Sequence, residues 1–217
     1  MPDVPFYSNT EDNTHCFQAS MQMILKYFLP DRDFSMSELE QLSGKVPGLS
    51  TWPQQMIVNL AGMGFDVVMV EGFDGPAFIE EGSEYLRRAF GEEAAAWQVA
   101  NSDIPQEQRT YQAVLEEPSV RVENRIPSLD ELRPLLQEGY LLNIVVNSRK
   151  LNGREGYVGH SVVVYDITDS EITFHDPGLP AQRARTVTPA VFNEAWADPN
   201  PTAKNYIAIK LKEFQHA

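Results

Sequence analysis

A chain of 217 residues with 42% hydrophobic and 22% charged residues has the make-up of one folded domain with a sizeable core. A formal net charge of -14 argues against nucleic acid or an anionic membrane surface as partner, since both need a basic face. A single cysteine excludes an internal disulfide. With no signal-peptide pattern at Met1–Pro5 and no run near the roughly 20 apolar residues of a membrane span, it points to a cytoplasmic, non-membrane protein.

A short polar, turn-rich segment, Val4–Asn13, leads through Thr14 and His15 to Cys16. From Phe17 to Phe28 there is no Gly or Pro, and Phe17, Met21, Ile24, Leu25 and Phe28 recur at helical spacing. The helix they predict has Asn13 and Thr14 as capping candidates and Cys16 in its first turn. Ser37–Ser43 reads as a second helix with Ser37 and Glu40 at capping-box spacing, and Trp52–Gly62 as a third with Thr51 as its cap. Phe65–Val70 reads as a strand. Residues Phe73–Val120 are acidic and helical by propensity, broken at Gly91, Pro105 and Pro118, and read as a helical insertion (73-120) in a single 1-217 domain. Ser128–Gln137 is a helix with a Ser128/Glu131 capping box. Leu141–Asn147, His160–Ile167, Glu171–His175 and Tyr206–Leu211 are strands, and Thr188–Trp196 is a short helix. Helices first and antiparallel strands last predict an α+β fold.

Three residues stand where nucleophilic chemistry needs them. Cys16 opens a helix, whose unpaired N–H groups favour a thiolate. The plain alternative is a buried free cysteine. His160 stands at the mouth of a strand in Gly159-His160-Ser161, about 130–150 residues beyond Cys16, the range of papain-type enzymes. Asp176, in Asp176-Pro177-Gly178, ends the strand expected to pair with that of His160, so its carboxylate can orient the imidazole. As a simple turn residue it would need no such role. His175 should point to the opposite side of its strand, and His15 is poorly placed to face Cys16. Glu80, Glu81, Glu92 and Glu93 read as solvated helix charges. No metal-ligand spacing, phosphate loop or dinucleotide fingerprint is present, so no cofactor is expected.

Val4-Pro5-Phe6-Tyr7, then Cys16-Phe17-Gln18-Ala19-Ser20-Met21, Gly159-His160-Ser161-Val162-Val163-Val164, Asp176-Pro177 and the Phe192/Trp196 pair occur together and in order. In this the chain resembles the bacteriocin-processing, double-glycine leader peptidases of the papain-like group, at both ends but not over Phe73–Val120. The resemblance implies a papain-like fold, with the nucleophile helix packed on a C-terminal antiparallel sheet, and a cysteine hydrolase of peptide or amide bonds. Cys16 would be the nucleophile, His160 the base and Asp176 its orienter. The family's oxyanion-hole Gln falls at Thr10, so the implied donors are the nearby Asn9 amide and the Cys16 backbone N–H. Phe17 stands where the family has Gly. An acyltransferase and an inactive peptide-binding module stay open as alternatives, as does the oligomeric state.

Overall fold

The apolar stripe after Cys16 forms helix α1 (Cys16–Phe28), burying Phe17, Met21, Met23, Ile24 and Leu25. The computed structural model describes residues 2–212; Met1 and residues 213–217, the two ends of the expected 1-217 domain, lie outside the described residues. Neither Asn13 nor Thr14 caps α1. Its N-cap is His15, without a side-chain capping bond, and the Thr14 hydroxyl turns back to Asp12 and His15. Helix α2 (Met36–Ser43) has its capping box at Ser35 and Glu38, two residues before the predicted pair, because the Glu38 carboxylate reaches the Ser35 N–H at 2.8 Å. Helix α3 (Gln54–Gly62) follows Pro53, and Thr51 accepts a hydrogen bond from Gln18 instead of capping it.

Strand β1 (Phe65–Glu71) leads into four helices, α4 (Gly75–Glu81), α5 (Ser83–Phe90), α6 (Glu92–Asn101) and α7 (Ile104–Glu116). The chain then returns as β2 (Val120–Asn124), which pairs parallel to β1 with Val67 opposite Val120. The helical stretch is thus the crossover of a parallel β-α-β unit. Its Phe78, Tyr85, Ile104, Tyr111 and Val114 share one apolar core with Met21, Ile24 and Leu25 of α1.

After a 3₁₀ turn that keeps the Ser128/Glu131 capping box come α8 (Leu132–Gln137), β3 (Leu141–Asn147), α9 (Ser148–Leu151), β4 (Gly159–Ile167), β5 (Ile172–Asp176), β6 (Gln182–Val187), α10 (Pro189–Trp196) and β7 (Asn205–Leu211). The fold is α+β. Among the described residues a seven-stranded sheet runs β2-β1-β7-β3-β4-β5-β6. The sheet is mixed rather than antiparallel, since β1 pairs with β2 in parallel, and β1 belongs to the N-terminal half of the chain. A second core, with Leu132, Phe174, Phe192 and Trp196, packs α8 and α10 on the sheet. Strands β5 and β6 lie at one edge, and there β4 and β5 bring their ends to the start of α1. Among the described residues no helix is long and apolar enough to cross a membrane.

Candidate active site

Cys16 is the first residue of α1, His160 the second of β4 and Asp176 the last of β5. A polar seam fixes the helix on the strand: Ser20 Oγ donates to the Ser161 carbonyl at 3.3 Å, and Asn143 Nδ2 donates to Ser161 Oγ at 2.6 Å. Cys16 keeps partial exposure, whereas His160 and Asp176 are buried. His160 Nε2 lies 2.7 Å from Asp176 Oδ1. The Cys16 thiol is within hydrogen-bonding reach of the imidazole. With Nε2 held by Asp176, Nδ1 is the ring nitrogen left to serve the thiol.

Burial pushes the Cys16 thiol up. The hydrogen bond and charge of His160, with the backbone N–H groups of Ser161 and Phe17, outweigh it and hold the thiol below its ordinary value. Burial also opposes the imidazolium, yet its hydrogen bonds to Asp176 and Cys16 raise His160 to about 9. Burial would likewise raise Asp176, but His160, the Gly178 N–H and Arg185 bring it below the usual carboxylate range. Cys16 moves down and His160 up, and the protonation steps of two groups coupled in this way belong to both together.

Two residues that the sequence reading did not single out complete this corner. The Gly178 N–H donates to Asp176 Oδ1 at 2.9 Å, and a Cβ on Gly178 would stand 2.9 Å from that oxygen and 3.3 Å from His160 Nε2. Arg185 Nη1 donates to Asp176 Oδ2 at 2.8 Å. Asp-Pro-Gly was visible as a turn, but its glycine's second task depends on the neighbouring strand. Arg185 sits in the polar Gln182–Val187 stretch, which carries no strand signal of its own.

Asn9 is buried, and its side chain is engaged in the loop before Cys16. Oδ1 accepts from the backbone N–H groups of Thr10 (2.9 Å) and His15 (2.8 Å), and Nδ2 donates to Asn13 Oδ1 at 2.8 Å. One Nδ2 hydrogen remains for another acceptor. The Asn9 backbone N–H donates to the Pro177 carbonyl at 2.8 Å, tying this loop to the turn after Asp176. Gln18 and Thr10 are engaged elsewhere: Gln18 Nε2 with Ser43 and Thr51, Thr10 Oγ1 with Asp12 and His15. His15 faces Glu40, its Nε2 2.7 Å from the carboxylate. His175 points away from the Asp176 carboxylate, to the Val4 carbonyl at 2.9 Å and the Ala184 N–H at 3.0 Å. Glu80, Glu81, Glu92 and Glu93 are exposed.

The loop before α3 carries hydrogen bonds both to the crossover and to α1. Ser50 N donates to the Asn101 carbonyl at 2.7 Å, Trp52 Nε1 to Ser102 Oγ at 3.0 Å, and Gln18 Nε2 to Thr51 Oγ1 at 3.2 Å. No protein-family model matches the chain, and no curated protein matches it.

Proposed function

We propose that this chain is a papain-like cysteine hydrolase that cleaves a peptide or amide bond, as its resemblance to the double-glycine leader peptidases implies. The observation that carries the reading is the convergence of Cys16, at a helix start, on His160, whose Nε2 lies 2.7 Å from Asp176 Oδ1. The Cys16 thiolate attacks the carbonyl carbon, forming the C–S bond and pushing the carbonyl electrons onto oxygen. The Cys16 backbone N–H, at a helix position that no helical acceptor precedes, and the remaining Asn9 Nδ2 hydrogen are the donors for that oxyanion. His160 passes its proton to the leaving amine as the C–N bond breaks. It then takes a proton from water as water attacks the thioester, which releases the acid and restores the thiolate. Asp176 keeps the imidazole oriented throughout. Tyr157, Val158 and Leu179 are exposed apolar side chains on the segments that enter His160 and leave Asp176, and they offer apolar surface to peptide side chains near the site.

The test is a proteome-derived peptide library incubated with the wild-type chain and with Cys16→Ser. New peptide N-termini that depend on Cys16 are expected. New C-termini capped by an added amine, where hydrolysis would leave a free carboxylate, would make the chain an acyltransferase. No Cys16-dependent product, together with free-thiol reactivity at Cys16, would leave a peptide-binding module without chemistry.

A further inference from the structure

Among the described residues, one cationic side chain is built into the triad's corner and has no part in the mechanism above. Arg185, on β6, is largely buried, its side chain 12% exposed. It spends its guanidinium in three directions: Nη1 to Asp176 Oδ2 at 2.8 Å, and Nη2 to the Leu151 carbonyl and to Asn152 Oδ1, both at 3.0 Å. The group lies over the Phe174 ring, 5.8 Å from its centre. A register shift in the β5–β6 pairing, with Ala184 at φ +50, sets Arg185 opposite Phe174, two residues from Asp176. Asp176 is therefore shared by two cations. Oδ1 faces His160, Oδ2 faces Arg185, and the Gly178 N–H braces Oδ1.

A planar fork held at three acceptors is a poor choice for mere surface charge and a good one for fixing a carboxylate. We infer that Arg185 is a positioning residue that holds Asp176 in line with His160 and, by sharing its charge, limits how firmly Asp176 keeps His160 protonated. This rests on the thiolate–imidazolium reading of the site. A carboxylate facing only His160 would stabilise the imidazolium further and hold its proton more tightly through the step in which that proton must leave for the amine. Arg185 loosens that hold without moving Asp176. Its contacts to Leu151 and Asn152 also anchor the start of the segment that returns at Gly159 and His160.

The charged groups around the imidazole are few. Cys16 faces it from α1, Asp176 from β5 and, behind Asp176, Arg185 from β6. Arg183, also on β6, pairs with Asp3, while Asp198 accepts from Asn147 beyond β3. His175 turns away toward Val4. Arg185 is thus the positive charge set to act on His160 through Asp176.

The experiment is the rate of Cys16 alkylation by iodoacetate against pH, for wild type, Arg185→Met and Arg185→Lys, with thermal unfolding as the folding control. Iodoacetate is drawn in by the imidazolium, so its rate falls when His160 loses the proton. Arg185→Met removes the charge, and the alkaline limb should move up by on the order of one pH unit. Arg185→Lys keeps the charge but not the fork, and its limb should stay at the wild-type position. Should Arg185→Met not fold, Arg185→Gln carries the same expectation. A limb that stays put in the neutral variants, or that moves equally in the lysine variant, overturns the assignment. A wild-type profile without any alkaline limb fails the thiolate–imidazolium reading itself, which is a different outcome.

Discussion

At the residue scale, the site depends on how closely His160 and Asp176 are held. Gly178 leaves room for their contact, because a Cβ there would press on both partners. Gly178→Ala should therefore displace the imidazole and lower turnover about 10- to 100-fold, as small misplacements of reacting groups do. Its effect on thermal unfolding should be modest, since Gly178 lies outside both apolar cores. Turnover at the wild-type level in that variant would contradict the geometry. Cys16, His160 and Asp176 could be picked from the sequence because each sits at the end of an element with its own pattern: a polar loop before an apolar helix, a Gly-His before a β-branched run, an Asp-Pro-Gly turn. Asn9 was picked by resemblance, and its engagement with Thr10, Asn13 and His15 could not be seen without the loop's shape. Arg185 was invisible because its meaning lies in the strand beside it.

At the element scale, the crossover is held at its start by a tight fit. A Cβ on Gly75 would stand 1.9 Å from Tyr111 Cε1, and the Tyr111 hydroxyl donates to Glu71 Oε1 at 2.8 Å. Gly75→Ala should cost about 1–3 kcal/mol through forced repacking, readable as a lower midpoint in urea. Burial raises Glu71 to about 7, and it raises Glu107 to about 7 as well. Both carboxyls then bind protons more tightly folded than unfolded, so stability should fall as pH rises from about 4.5 to 7. Glu71→Gln should flatten part of that slope; an unchanged slope would place the effect elsewhere. Long apolar-patterned elements such as α1, β3 and β4 were readable from periodicity alone. Strand β6 (Gln-Arg-Ala-Arg-Thr-Val) and strand β2 (Val-Arg-Val-Glu-Asn) were not, since edge strands need few apolar residues and take their order from a neighbour. The capping box at Ser35/Glu38 was misplaced because Ser-x-x-Glu occurs twice, at 35–38 and 37–40, and only the helix start decides between them.

At the scale of the whole molecule, the helices between β1 and β2 are structural members of the fold. Removing residues 75–116 would strip Phe78, Tyr85, Tyr111 and Val114 from the core that also seats α1, and would leave parallel β2 without its crossover. The excised chain should lose its cooperative unfolding transition. A deletion variant that still folds and keeps Cys16 reactive would contradict this structural role. The same core is what lets residues far apart in sequence meet, since it holds α1 against β4, where Cys16 comes beside His160. The most direct test of that convergence is the rate at which iodoacetamide modifies Cys16 at pH 6, in the wild type and in His160→Ala, against a free thiol. The wild-type chain should react well above the free-thiol rate and lose that advantage in His160→Ala. A wild-type rate no faster than the free thiol, or one indifferent to His160, would contradict Cys16 as an activated nucleophile.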